Sequence, residues 1–327
     1  MRYVQYIIEQ IRRETENEDV SDFIGIQDSE FLQYINDAQH RLQSKIVAKH
    51  PSVFIEEAII NTVSGQESYS LPSDAFLGNK ISNVEFSSSG EEQDYYVLEE
   101  VSLKKRQSGS TGDPSKYIRK SGKVLLSPIP TSGKLRINYV KRIPELDLRR
   151  GYVTGICSDT SYTTESTCVS GGGSWTAPPS DLSSSTTLKL NSTELLTSTT
   201  DLAEHQYICI VDKDGNMKMK NIPLSAIIDV NNLTLGSHTA EDGESISVGD
   251  YVVGGKDTTT HSELPRNVER YLIAYGAWKI LKRDSSVDSQ EAVQELLQME
   301  NDIIESYALI SDDVQYIPLI NEDEWTI

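Results

Sequence analysis

Helical periodicity in this chain is confined to its two ends, and that placement constrains the fold more than any other feature. The N-terminal segments run over about Arg2–Glu14 and Glu30–Lys49, and the C-terminal ones over about Pro265–Arg283 and Ser289–Ser311. Val4, Ile7, Ile8 and Ile11 recur at the spacing of a single helical face, as do Phe31, Ile35, Ala38, Leu42 and Ile46. The third segment, with Tyr271, Leu272, Ile273, Tyr275, Ala277, Trp278, Ile280 and Leu281, is apolar almost all round. Such a helix belongs at the centre of a core, and Trp278 is expected there with it. The fourth carries an amphipathic stripe of Val293, Leu296, Leu297, Ile303, Ile304 and Tyr307. Neither pair hides its stripe alone. A helical core closed by both chain ends is therefore expected, with everything between carried as an excursion. Asp28 or Ser29 is a candidate N-cap, Pro265 suits a first helical turn, and Ser262 is a candidate cap before it.

The middle reads as β and loop. Phe54–Val63, Lys80–Phe86, Tyr95–Val101, Lys116–Arg119, Val124–Leu126 and Leu135–Val140 are short strand candidates, with Ser121-Gly122 as a hairpin turn. After Arg150 the composition changes. Gly151–Ser185 is rich in Ser, Thr and Gly, as surface loops are. Thr187–Leu190, Gln206–Val211, Met217–Lys220, Ala226–Val230, Leu233–Leu235 and Ile246–Val253 follow, with Asp214-Gly215 as a tight turn. Five or six short strands at this spacing predict a small barrel or sandwich. The expected fold class is α+β: a four-helix body built from both ends, a short β region, and an inserted small all-β domain. The expected divisions are 1–150, the insert 151–261, the closing helices 262–311 and an extended tail 312–327.

No run of the sequence approaches the length of a membrane span, and Met1–Gln5 leads straight into an amphipathic helix with no secretory signal, so synthesis in the cytosol and no membrane association are expected. Three cysteines, Cys157, Cys168 and Cys209, are too few for a disulfide framework. They read as reduced thiols, with Cys157 and Cys168 able to pair in an oxidising environment. The net charge of −20 argues against a surface that grips phosphate backbones. No nucleophile, phosphate-loop or metal motif is present. Asp212-Lys213-Asp214-Gly215 lacks the closing Glu of a calcium loop and reads as a turn. His40, His50, His205, His238 and His261 are scattered. Catalytic, cofactor and metal residues are therefore all expected to be none, and the chain is not expected to be an enzyme. Abundant carboxylates leave a cell-wall hydrolase as a formal alternative, and Tyr95, Tyr96 and Trp175 leave a glycan platform, with core packing as the plainer reading.

The segment Asp28–His50, the following Phe54-Ile55-Glu56-Glu57-Ala58 and the phrase Tyr69-Ser70-Leu71-Pro72-Ser73-Asp74-Ala75-Phe76 resemble head-to-tail adaptor (connector) proteins of tailed bacteriophages. So does the closing block from Leu264-Pro265-Arg266 through Ala274-Tyr275-Gly276-Ala277-Trp278. The resemblance covers roughly Arg2–Arg150 and Ser262–Ile327, and residues Gly151–His261 depart from the usual adaptor pattern as a decoration. It implies a structural virion protein at the head–tail interface, assembled in the host cytoplasm. It further implies a dodecameric ring of identical copies, contacts with the portal protein and with tail nozzle or tail tube proteins, and passage of the genome through the ring during ejection without specific binding. The tail Asp312–Ile327 has no helical period but carries Tyr316, Ile317, Leu319, Ile320 and Trp325. These are expected to dock on the portal or a neighbouring copy. A rival from another class is a tail-associated receptor- or glycan-binding protein using the β insert, although the long repeats of a fibre are missing.

Overall fold

The computed structural model describes residues 3–15, 27–76, 80–105, 109–157, 165–179, 182, 184, 186–193, 206–239, 244–283 and 289–311. The chain is mixed α+β with several sheets. Its helices are α1 (Val4–Glu14), α2 (Asp28–Lys49), the short α3 (Glu165–Ser170), α4 (Glu269–Arg283) and α5 (Ser289–Ser311). The long ones fall where the apolar period placed them. Two compact units are formed, Met1–Arg41 with Ile143–Leu297, and Leu42–Arg142 with Gln298–Ile327.

In the second unit two four-stranded sheets share one core. Strands β1 (Ile55–Asn61), β3 (Ile81–Ser87), β4 (Tyr96–Val97) and β8 (Lys134–Val140) join in the order β1-β8-β3-β4. Strands β2 (Ser68–Ser70), β5 (Glu99–Glu100), β6 (Lys116–Lys120) and β7 (Lys123–Ser127) join as β2-β7-β6-β5. Alternation along each strand sends Val84, Phe86, Leu135 and Ile137 from one sheet, and Tyr69, Tyr117, Val124 and Leu126 from the other, into that core. Ser121 and Gly122 both take positive φ, so the β6–β7 turn has the mirror-image geometry suited to strand twist. Leu42, Ile46 and Val47 of α2 and Ile303, Ile304 and Tyr307 of α5 are buried in the same unit. Lys45 there is ion-paired to the buried Glu300.

The first unit holds helices from both chain ends. Arg12 of α1 bonds Asp28 at 2.5 Å and lies over the Phe31 ring. α1 packs on α4 at Gly276, where an added Cβ would sit 2.5 Å from Ile11 Cδ1. Lys279 reaches Asp37 and Arg283 reaches Glu30, tying α4 to α2. Trp278 corrects an expectation. It is only half-buried, edge-on to Tyr275 at 5.3 Å, with the Lys279 and Lys282 ammoniums near its ring. The fully buried aromatic of α4 is Tyr271. Ser262 does not cap the helix either. A short 3-10 turn at Arg266–Val268 precedes α4, led by Pro265 with no side-chain cap, while Ser262 donates to Gln39 at 3.2 Å.

The rest of this unit is β. Its strands are β9 (Glu145–Leu146), β10 (Gly151–Tyr152), β11 (Ile156–Cys157), β12 (Trp175–Thr176), β13 (Thr186–Lys189), β14 (Tyr207–Val211), β15 (Met217–Ile227), β16 (Asn232–Leu235), β17 (Tyr251–Gly254) and β18 (Thr258–Thr259). Six of them form a sheet in the order β10-β17-β14-β15-β16-β13. The sheet returns on itself: Val153 bridges Leu190, with Thr154 N donating to Lys189 O at 2.9 Å and Asn191 N to Tyr152 O at 3.0 Å. Of the expected barrel or sandwich, the structure has a half-barrel whose two end strands are bridged at Val153 and Leu190. Its interior is filled by Val153, Leu188, Leu190, Ile208, Ile210, Met219, Ile222, Leu233, Leu235 and Val252. Met217–Lys220 and Ala226–Val230, expected as two strands, are largely one: β15 runs from Met217 to Ile227, with Asn221 at φ 57° and a bulge at Leu224/Ala226, and bends from β14 to β16.

The α1–α4 contact gives a direct test. Gly276→Leu overfills the space against Ile11 and should lower stability by about 1–3 kcal/mol. Thermal melts followed by circular dichroism should show the loss, and Ile11→Ala in the same chain should recover part of it.

Candidate functional site

The residues around the exit and return of the barrel form a densely bonded polar site in the first unit. The chain leaves through β9 and comes back through β18, and these two lie side by side as a parallel pair, Glu145 opposite Thr258 and Leu146 opposite Thr259. Asp147 sits at their end with its side chain 9% exposed. It accepts two hydrogen bonds from Arg150 Nε and one from Arg150 Nη2, and a further 2.7 Å bond from Gly254 N. Its own N–H donates to Thr259 O. Asp147 thus ties the outgoing segment to β17 through its carboxylate and to β18 through its N–H. Beside it, the Arg149 guanidinium stacks on the Tyr251 ring at 4.0 Å and on Tyr3 at 4.9 Å, and donates to Lys213 O.

Helix α2 grips the same outgoing segment with a polar face. Asn36 exchanges two hydrogen bonds with the backbone of Leu146, at 3.0 and 2.8 Å. Gln39 donates to Pro144 O at 2.8 Å, and its carbonyl accepts from Ser262. One turn on, in the second unit, Gln43 donates to Lys141 O at 2.7 Å. Gln39 and Gln43 are fully buried. An amide side chain carries both a donor and an acceptor, so it can replace the backbone partners that an irregular buried segment lacks. Reading the sequence for apolar period missed these three residues. Their signal was the spacing 36, 39, 43, which puts them on one helical face.

The phrase Leu71–Phe76 has a folding role. Tyr139 donates to the Asp74 carboxylate at 3.0 Å, Arg142 N donates to Asp74 O at 2.6 Å, and Ala75 bridges Lys141. It latches the end of β8.

The remaining sequence candidates are dispersed. Among the described residues no group of three or more His, Cys, Asp or Glu is placed to hold a metal ion. The Asp212–Asn216 stretch is a turn in which the Asp212 carboxylate accepts from the backbone of Asp214 and Asn216. Of the scattered histidines, His238 contacts Glu244 at 3.0 Å, and His261 bonds the Thr260 hydroxyl at 2.8 Å. Cys168 is buried and disulfide-bonded, so the reading of three reduced thiols fails there, whereas Cys209 is a free, buried thiol. Tyr95 lies under Arg136 at 3.8 Å, Tyr96 packs edge-on to Phe86, and Trp175 covers Gly155. The docking candidates Tyr316, Ile317, Leu319, Ile320 and Trp325 lie outside the described residues, and so does His205. Among the described residues no helix is long and apolar enough to cross a membrane.

Residues 1–155 match the family model of the SU10 adaptor protein. The match covers α1, α2, the two-sheet unit and the Asp147–Arg150 joint, and it bears out the resemblance to phage head-to-tail adaptors. It supports a structural role in a phage particle. A comparison with curated proteins finds no match.

Two outcomes follow from the joint. Asp147→Ala leaves the Arg150 guanidinium largely buried without its carboxylate and should cost about 3 kcal/mol, measured by urea unfolding of the full chain. His261 packs against Gly215 and Tyr3, and burial, then the nearby Arg149, push its pKa below the ordinary value. The folded state therefore binds this proton less readily than the unfolded one. The stability contributed is complete above the ordinary histidine pKa of about 6.5 and declines as pH falls from there toward the folded value. Melting temperature should drop between about pH 7 and 5.5, and His261→Asn should flatten that part of the profile.

Proposed function

We propose that this protein is a head-to-tail adaptor that forms a ring beneath the portal and leads to the tail machinery. The observation that carries the reading is the family match over residues 1–155, which covers both the Leu71–Phe76 latch and the joint at Asp147. In this reading the helices of both chain ends form one four-helix adaptor body together with the short β region of 1–150. Residues 151–261 are an inserted domain, 262–311 complete the body, and 312–327 are the docking tail. The barrel supports that division, because its edges are joined and its interior is filled by its own side chains. Identical copies, the dodecamer of the resemblance, line a passage for the genome, and the charge of −20 keeps duplex phosphates from adhering to the wall. Tyr316, Ile317, Leu319, Ile320 and Trp325 insert into the portal or a neighbour, with Tyr316 and Trp325 as the aromatic anchors.

The test is mass by light scattering, for the full chain alone and mixed with purified portal. A ring-sized species in either sample is the expected result, and a monomer in both overturns the reading. Deleting 312–327 should abolish stable attachment to the portal while leaving the circular dichroism of the subunit unchanged. Full attachment by the truncated chain would remove the tail as the dock.

A further inference from the structure

The formal charge of this chain is unevenly distributed. Residues 42–142 hold fourteen Lys and Arg against eleven Asp and Glu, while residues 284–327 hold twelve Asp and Glu and no Lys or Arg. The structure shows where the positive side concentrates. In the β6–β7 hairpin, Lys120 and Lys123 stand directly opposite each other across the Ser121-Gly122 turn. Both are exposed, and neither has an acidic partner among the described residues. Like charges directly opposite on paired strands oppose pairing. Arg119, next in the strand, is different: it is held in a two-point bond by Glu100, at 2.7 and 2.6 Å. The hairpin therefore presents two free ammonium groups, about 5 Å apart at their Cβ atoms by the geometry of a facing pair.

The matching surface is on α5. Ile303, Ile304 and Tyr307 are buried, while Asp302 and Glu305 are exposed one helical turn apart. Residues three apart on a helix have Cβ atoms about 5–6 Å from each other, the spacing of the lysine pair. Neither carboxylate has a basic partner among the described residues. We propose that Lys120 and Lys123 of one copy dock on Asp302 and Glu305 of a second copy. This rests on the ring-forming reading above and names the contact that builds the ring. It also fixes the type of interface. A two-fold contact through the hairpin would set lysine against lysine, so the complementary arrangement is hairpin to helix. Contacts between two different patches repeat from copy to copy, and they close into a ring when the rotation between neighbours closes. A duplex is a poorer occupant: two lysines attract phosphates, but the carboxylates of a −20 chain repel them over a Debye length of about 8–10 Å.

The experiment uses the full chain in analytical ultracentrifugation, at low and high salt. K120E/K123E should weaken self-association on the order of tenfold, in line with replacing attraction by repulsion at two charge pairs. Adding D302K/E305K to that same chain should restore association. Circular dichroism checks that both variants fold, and the substituted side chains are all exposed. Wild-type-like association of K120E/K123E overturns the proposal, and so does failure of the four-substitution chain to recover. Anisotropy of a labelled duplex is run alongside. A loss of duplex binding in K120E/K123E with unchanged mass assigns the hairpin to phosphate and overturns the proposal as well. If the wild-type chain never exceeds a monomer, with or without portal, the ring reading itself has failed. If the wild type assembles and the charge variants behave like it, only the hairpin–helix contact has failed.

Discussion

Asp147 carries an unusual share of the architecture for one side chain. A long excursion between β9 and β18 has to start and finish at one place, or the helices of the two chain ends cannot meet. Loop-closure entropy opposes this only slowly as the excursion lengthens, so what matters is the strength of the closing contact. Asp147 supplies it by bonding Arg150 just before β10 and Gly254 at the end of β17, while its backbone engages Thr259 of β18. The arginine is fully delocalised and geometrically matched to a carboxylate, so the pair also fixes orientation. With the joint held, Val4 N can donate to Thr260 O, and α1 is placed against α4.

The amides of α2 extend the same logic. Ile143, Pro144 and Leu146 are buried on the irregular stretch that leads into and through β9, and their backbone groups need partners there. Asn36 and Gln39 provide them in one unit, and Gln43 does so in the other. Each of them supplies a hydrogen bond to that backbone, and a buried carbonyl left unpaired costs more than the bond itself is worth. A helix with such a face acts as a backbone template as well as an apolar wall.

Much of this was legible in the sequence because it depends on local rules. The spacing of Val4, Ile7, Ile8 and Ile11 gave α1, and Ser121-Gly122 and Asp214-Gly215 gave two turns from the conformations those residues tolerate. What was not legible depends on long-range partners. Asn36, Gln39 and Gln43 look like solvated polar residues until residues 141–146 are laid against them. β15 was read as two strands, yet it runs on through Asn221, which hydrogen bonds with Asp257 hold at its positive φ. Trp278 was assigned to the core from its neighbours in sequence, whereas Lys279 and Lys282 bring solvent to that side of α4. Of the site, the family phrase around Leu71–Phe76 was visible, and the residues that make it a latch, Tyr139 and Arg142, were not.

The bridge between Val153 and Leu190 has a consequence for behaviour in a crowded assembly. A sheet with open edges offers unpaired N–H and C=O groups to any other strand, and identical copies are the most dangerous neighbours because their register already matches. By bonding its first strand to its last, the barrel withdraws that invitation. At high concentration a second copy would then find no free edge at Val153 or Leu190 on which to add a strand.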